Sequence, residues 1–307
     1  MKKKMLFFVN PNAGHAEIRA CLMEVLEIFT LGGYDVTVHP TSHAREITEV
    51  IAAVGEQYDR IVSTGGDGTL NETVSGLMQL EHPPVLGYIP GGTVNDVAST
   101  LNLPKNILDA AKVVVSGQEF PLDIGSFNRD WFTYVAAFGA FTDVAYQTPQ
   151  EGKRVLGRMA YLLAGVRAIG DIQPIHVRAI TGDATVEDDV IVGLVASTTS
   201  VGGFKAKPDL DISLNDGLSE VVLVKDIKNL VDFSAVTGAL MRQDFSSDYF
   251  YTLQTDAIRF EFDRPVAWTL DGEFGGSVTE VEIRNHPRAL RIMIPMDESV
   301  PGIRSSR

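Results

Sequence analysis

Three strand-like runs in the first hundred residues, 5–9, 60–64 and 85–89, each stop at a corner of glycine, asparagine or proline. Helical spacing follows each corner. Strands that turn at once into helices, repeated along a chain, build a parallel sheet with helices on both faces. Ligands of such sheets bind outside the carboxyl ends of the strands, so all three corners should line one crevice. The middle corner, Gly65-Gly66-Asp67-Gly68-Thr69, constrains the chemistry most. A glycine corner lets backbone N–H groups approach phosphate, and a helix N-terminus favours its charge. The Asp67 carboxylate would repel that phosphate unless a cation sat between them, which points to phosphate plus a divalent metal. The corner is neither a Walker A loop, lacking the G-K-[ST] ending, nor a dinucleotide fingerprint, because Asn71 replaces the third glycine. Gly-Asp-Gly by itself also makes an ordinary tight turn. The second corner, Pro90-Gly91-Gly92-Thr93-Val94-Asn95-Asp96, is what makes turn geometry alone an insufficient explanation.

The alternation covers roughly 120 residues, with helical spacing over 18–29, 44–54, 70–78, 95–101 and 109–116. After Pro121 it gives way to short β-rich runs at 122–127, 131–138, 175–181, 190–197, 218–224, 257–262, 267–270, 278–284 and 290–294. One amphipathic helix, 155–169, intervenes, and Gly182-Asp183 and Asn285-His286-Pro287 read as turns. Many short strands predict an antiparallel sandwich. The expected fold is therefore α/β plus all-β, an N-terminal parallel-sheet domain at 1–122 and a sandwich at 123–294. The charge of −14, from 26 basic and 40 acidic residues, excludes a broad nucleic-acid surface. A lone cysteine, Cys21, excludes an internal disulfide, reads as a core side chain and fits a reducing cytosol. The apolar run after Lys2-Lys3-Lys4 stops after five residues, too short for a signal peptide, and no run approaches the ~18 residues of a membrane span. The scattered histidines have no zinc-like spacing.

Six blocks in order carry a resemblance: Asn10-Pro11-Asn12-Ala13-Gly14, Gly65 to Glu72, Pro90 to Ala98, Leu122-Asp123-Ile124-Gly125, Leu214-Asn215-Asp216-Gly217-Leu218 and Leu270-Asp271-Gly272-Glu273. Over nearly its whole length the chain resembles the bacterial diacylglycerol kinase-type lipid kinases, relatives of sphingosine kinases and, more distantly, NAD kinases. That resemblance implies an N-terminal nucleotide domain, a C-terminal sandwich with a cleft between them, and a return of 295–307 to the first domain. It implies ATP as donor and Mg²⁺ as metal. Gly65, Gly66, Gly68, Thr69, Gly92 and Thr93 would cradle phosphates, with Asn10, Pro11, Asn12, Ala13, Gly14, Thr41 and Asn95 around the nucleotide. Asp67 would hold the catalytic Mg²⁺, supported by Asp96 or Asp123, and Glu273 would be the general base. Asp216, with the carbonyls of Ser213 and Leu218, would hold a second, structural Mg²⁺; a plain Asn-Asp-Gly turn is the other reading of that segment.

The expected reaction makes phosphatidic acid from diacylglycerol at a membrane surface, by a cytoplasmic protein that associates transiently. The basic amphipathic segment 153–163 would meet anionic lipid or, equally, pack on the sandwich. A homodimer is compatible with the resemblance. Rivals are a kinase of another hydroxyl lipid, such as phosphatidylglycerol or a sphingoid base, an NAD kinase, and a non-catalytic, nucleotide-sensing lipid-binding protein. Glu273 speaks against the last, since sensing needs no base. Val97 and Ser99 stand where the family commonly has Phe and Arg.

Overall fold

The computed structural model describes residues 2–10, 17–93, 95–139, 173–196, 200–201, 204–205, 214–242 and 244–296. Pro11 to Gly14, Ser213, the helix expected at 155–169 with its basic stretch, and residues 297–307 lie outside these. The chain divides into two units, Met1–Ile124 with Arg288–Arg307, and Gly125–Pro287.

In the first unit, β1 (Lys3–Val9), β2 (Tyr34–Pro40), β3 (Arg60–Gly65) and β4 (Val85–Pro90) form a parallel sheet ordered β2-β1-β3-β4. The end of β15 (Glu273–Ile294) joins parallel to β4, through Ile292 beside Leu86. β3 and β4 are buried at every position, as continuous runs between helices should be. Helix α1 (Glu17–Leu31) buries Ile18, Val25 and Phe29, and α5 (Ile107–Ser116) buries Ile107, Ala110, Ala111 and Val114 on the same core. Phe7 and Phe29 meet edge to face at 5.3 Å. Helices α2 (Glu46–Val54) and α3 (Asp67–Leu77) pack on each other. Asn106 starts α5 by accepting from the Leu108 and Asp109 amides, a side-chain N-cap. Cys21 is half-buried at the edge of this core, less enclosed than expected.

The second unit is antiparallel. Its strands are β6 (Asp130–Phe132), β7 (Val135–Gly139), β8 (Ile175–Ile180), β9 (Thr185–Ala196), β12 (Ser219–Lys225), β13 (Phe250–Thr255), β14 (Ala257–Leu270) and the first part of β15. A short hairpin of β10 (Ser200–Val201) and β11 (Phe204–Lys205) stands apart from them. The main order runs β13-β12-β9-β7-β14-β15. The long strands β9 and β14 also pair with β8 through different residues from those that pair with β7. Irregular pairing between Glu261 and Val266 lets β14 serve both partners, as bulges and bends do at sandwich corners. Phe127, Phe132, Phe138, Phe260, Phe262 and Trp268 fill the interior.

Three expectations fail here. Asn285-His286-Pro287 is not a turn: it lies inside β15, where Asn285 Nδ2 donates to the Leu218 carbonyl at 2.8 Å. Proline in a strand is tolerated where no ladder bond is required of it. Pro121 likewise sits within β5 (Gln118–Phe127), not ahead of it. An additional helix, α6 (Leu230–Arg242), follows the N-cap Asn229, whose side chain accepts from the Val231 and Asp232 amides. Its β-branched residues and Gly238 mask it in sequence, and burial of Val236, Ala239 and Leu240 supplies what propensity does not.

Candidate functional site

The carboxyl ends of β1, β3 and β4 bring the described nucleotide candidates Asn10, Gly65, Gly66, Thr69 and Gly92 to one edge. The Thr41 amide donates to the Val9 carbonyl at 2.9 Å, and Asn10 Nδ2 reaches Thr69 Oγ1 at 3.4 Å. The Gly91 amide donates to the Gly65 carbonyl at 2.8 Å, tying the two glycine corners together. Helix α3 begins at Asp67, earlier than the expected residue 70, with Gly66 as its N-cap. The half-buried Asp67 therefore sits in the first helical turn, where a negative charge is favoured.

The corners touch backbone to backbone. A Cβ at Gly92 would lie 2.5 Å from Gly66 Cα and 2.8 Å from Asn95 Oδ1, so no side chain fits. Gly92→Ala is expected to cost about 2 kcal/mol, because backbone cannot swing aside like a side chain. It should also weaken ATP binding at least about tenfold, by prising the corners apart. Thermal melts with and without ATP check this; an unchanged melting point and unchanged ATP affinity would count against the contact.

Asn95 locks the arrangement. In a left-handed conformation with φ 53°, it accepts from the Gly92 amide at 3.0 Å and donates to the Gly92 carbonyl at 2.7 Å. Its own amide donates to Asp67 Oδ2 at 3.0 Å. Asn95 thus aims the carboxylate that the sequence singled out. Tyr88, fully buried on β4, donates its hydroxyl to the Gly65 carbonyl at 2.9 Å and lies 3.3 Å from Asn95 Oδ1. Burial, and secondarily Asp67, hold that phenol well above its ordinary pKa, so it remains a donor. Sequence reasoning missed Tyr88; the signal was a polar tip inside an otherwise apolar strand ending at a corner.

Thr41 is positioned by Glu46, which folds the 41–45 segment over the start of α2. Glu46 Oε2 accepts from the Ser42 amide at 2.6 Å, the Ser42 hydroxyl at 2.8 Å and the His43 amide at 3.2 Å, while Oε1 meets His39 Nε2 at 2.9 Å. The Ser42 amide first, then His39 and the Ser42 hydroxyl, lower its pKa to about 2. A depressed carboxylate contributes stability above its unfolded value, about 4.3, and loses it as pH falls toward about 2. Glu46→Gln should flatten stability against pH across that acid window, read by melting at pH 5 and pH 2.5. A variant melting like the parent at both would discount these bonds.

The proposed metal residues are differently placed. Asp96 and Asp123 are buried, and Asp123 Oδ1 accepts from the Arg288 amide at 2.6 Å, holding the chain where Arg288 takes φ 53°. Among the described residues no three Asp, Glu, His or Cys side chains converge, so Asp67, Asp96 and Asp123 do not form one cluster. A hard cation that keeps most of its waters needs only one or two carboxylates, which suits Asp67 on its own edge. Val97 is buried in α4 (Asp96–Thr100) and Ser99 is exposed, so the missing arginine leaves a surface position rather than a hole.

In the second unit, Asp216 is exposed, its Oδ1 accepting from the Leu218 amide at 3.0 Å, and the Leu218 carbonyl accepts from Asn285. Burial first, with Asp216 contributing repulsion, raises the nearby Glu220 carboxyl to about 7. The Asp216 carboxylate and the Leu218 carbonyl are oxygen donors of the kind a hard divalent cation takes.

Glu273 follows a two-residue turn joining β14 to β15, Asp271 at φ 50° and Gly272 at φ 84°, with Leu270 paired to Glu273. Two consecutive positive φ values match the twist of antiparallel strands, which is why Asp-Gly serves here. The Asp271 carboxylate is buried and accepts three backbone amides: Thr133 at 2.6 Å, Tyr134 at 2.9 Å and Val135 at 3.1 Å. Glu273 itself is exposed. Sequence reasoning singled out Glu273 and missed that Asp271 holds its turn.

The sequence matches the Diacylglycerol kinase catalytic domain family over residues 4–127 and the YegS C-terminal NAD kinase beta sandwich-like domain over 137–294. A protein named Diacylglycerol kinase from Bacillus subtilis (strain 168) is 33% identical over 302 residues, covering 97% of this chain and 98% of its own. Another of that name, from Staphylococcus epidermidis, is 29% identical over 300 residues, covering 97% and 94%. A solved chain from Bacillus anthracis str. Sterne, 24% identical, shares the fold with TM-score 0.82 over 95% of this chain and 97% of that one. With both domains matched in order and relatives aligned along nearly its full length, the chain belongs to the diacylglycerol kinase family of lipid kinases.

Proposed function

We propose that this kinase transfers the γ-phosphoryl group of ATP to the free hydroxyl of diacylglycerol, giving phosphatidic acid. The observation that carries the reading is the backbone-on-backbone packing of the two glycine corners at the start of α3, with Asp67 aimed by Asn95. Backbone N–H groups of the Gly66 and Gly92 corners bind phosphate oxygens, and Thr69 and Thr93 add hydroxyl donors. Asp67 holds Mg²⁺, which when bound neutralises charge developing on the phosphate oxygens. Glu273 takes the hydroxyl proton as the lipid oxygen bonds to the γ-phosphorus and the bridge to the β-phosphate breaks. Asp271 keeps Glu273 in place through the turn.

The relatives' shared name supports the acceptor, and no helix among the described residues is long and apolar enough to cross a membrane. Labelled ATP offered with mixed micelles of diacylglycerol, phosphatidylglycerol or a sphingoid base tests the reading. Label in phosphatidic acid is expected; label confined to another lipid, or to none, would overturn it.

A structural Mg²⁺ at Asp216, with the carbonyls of Ser213 and Leu218, completes the proposal. Added Mg²⁺, without nucleotide, is expected to raise the melting point of the parent by mass action more than that of Asp216→Ala, which keeps only the Asp67 site. Equal shifts in both proteins would remove the site.

A further inference from the structure

The second unit carries a concavity of about 800 Å³ that the phosphoryl-transfer scheme does not use. That volume is within the range of small-ligand sites. One wall is the β5–β6 hairpin, where Ser126 pairs with Trp131. The other is β15, whose alternate residues Glu282, Arg284 and His286 share a face by the two-residue period of a strand. The hairpin is bound to β15 by the Asn128 amide donating to the Glu282 carbonyl at 2.9 Å, and by the Glu282 amide donating to Asn128 Oδ1 at 3.0 Å.

The groups inside this concavity are built rather than scattered. Trp131 lies against His286, ring centroids 5.0 Å apart at 69°. His286 Nε2 is 3.0 Å from Ser126 Oγ, and Ser126 is only 7% exposed. Arg284 pairs with Glu282, which uses part of a guanidinium that has five N–H donors. Arg129, at the hairpin turn, has no ion pair among the described residues. Two guanidinium groups and an imidazole border one space and supply N–H donors for the oxygens of a tetrahedral anion, with the Glu282 and Asp130 carboxylates on the same lining and the Ser126 hydroxyl holding the imidazole. The indole supplies an apolar wall beside them.

We propose that this concavity binds a phosphate monoester, at a site separate from the glycine corners. The groups facing His286 are Arg284 and Glu282 on β15 and Arg129 and Asp130 on the hairpin. Burial first, and Arg284 second, lower the His286 pKa, so the ring is neutral near pH 7. A bound dianion opposes both effects and favours the protonated ring.

Tryptophan emission reads the site directly. The chain has two tryptophans, and Trp268 is fully buried in the core, so the half-exposed Trp131 is the responsive one. Inorganic phosphate is titrated into the full chain at constant ionic strength, at pH 6 and pH 8. Vesicles of phosphatidylcholine with and without phosphatidic acid form the second arm. The expected result is a saturable change that weakens at least about tenfold in the Arg129→Ala, Arg284→Gln double variant. Both arginines lie at exposed positions, so the variant should fold. It should also keep its transfer rate on a short-chain diacylglycerol in micelles, which separates this proposal from the kinase reading. A response to phosphatidic acid vesicles alone identifies a lipid headgroup as the ligand; a response to inorganic phosphate as well identifies the phosphate group as sufficient. No saturable response in either arm, an undiminished response in the double variant, or a signal that survives Trp131→Phe would overturn the site.

Discussion

Glu273→Gln is expected to lower kcat for phosphoryl transfer by about a thousandfold, the middle of the range for losing a general base. The amide has nearly the shape of the carboxylate and cannot take the proton of the attacking hydroxyl. The Glu273 side chain is exposed and makes no hydrogen bond among the described residues, so its replacement should leave stability within about 0.5 kcal/mol of the parent. ATP affinity should also hold, since every residue proposed to bind the nucleotide belongs to the first unit. Steady-state rates in mixed micelles, with melting curves and ATP titration alongside, read all three. A variant keeping a tenth or more of parental kcat would remove Glu273 from the base's role.

The second large effect is opposite in kind. Asp271→Ala should cost about 3 kcal/mol of stability, because three amides that meet one buried carboxylate lose their acceptor together. Asp271→Asn keeps one acceptor oxygen and should lie between. Activity should fall in both, as the turn that holds Glu273 loosens, and the fall should follow the stability loss across the two variants. Denaturant unfolding with parallel kinetics checks the ordering. An Asp271→Ala chain as stable as the parent would mean the carboxylate is dispensable to the turn.

Local chemistry made much of the first unit legible. β1, β3 and β4 are short, largely apolar runs, the corners after them announce themselves by glycine, asparagine or proline, and the helices between them carry their own period. The second unit was harder to read. Its short runs 257–262 and 267–270 are one strand, β14, and 278–284 and 290–294 are one strand, β15. Polar residues on solvent-facing positions, and bends where a strand changes partner, break the apolar pattern without breaking the strand. Helix α6 was invisible for the reverse reason, since its stability comes from packing more than from its residues' preferences.

Site residues divide along the same line. Asp67, Gly92 and Glu273 were readable because a carboxylate between glycines, a paired corner and an Asp-Gly-Glu turn are local statements about backbone freedom and charge. Tyr88, Asn95 as the group that aims Asp67, and Asp271 as the clasp on residues 133–135 needed the fold. Their partners lie 7 to 138 residues away. Glycine's missing side chain is a property of one position and can be seen in one. A hydrogen bond between distant residues exists only once the sheet has set its register, so the tertiary structure alone decided which polar groups orient the chemistry.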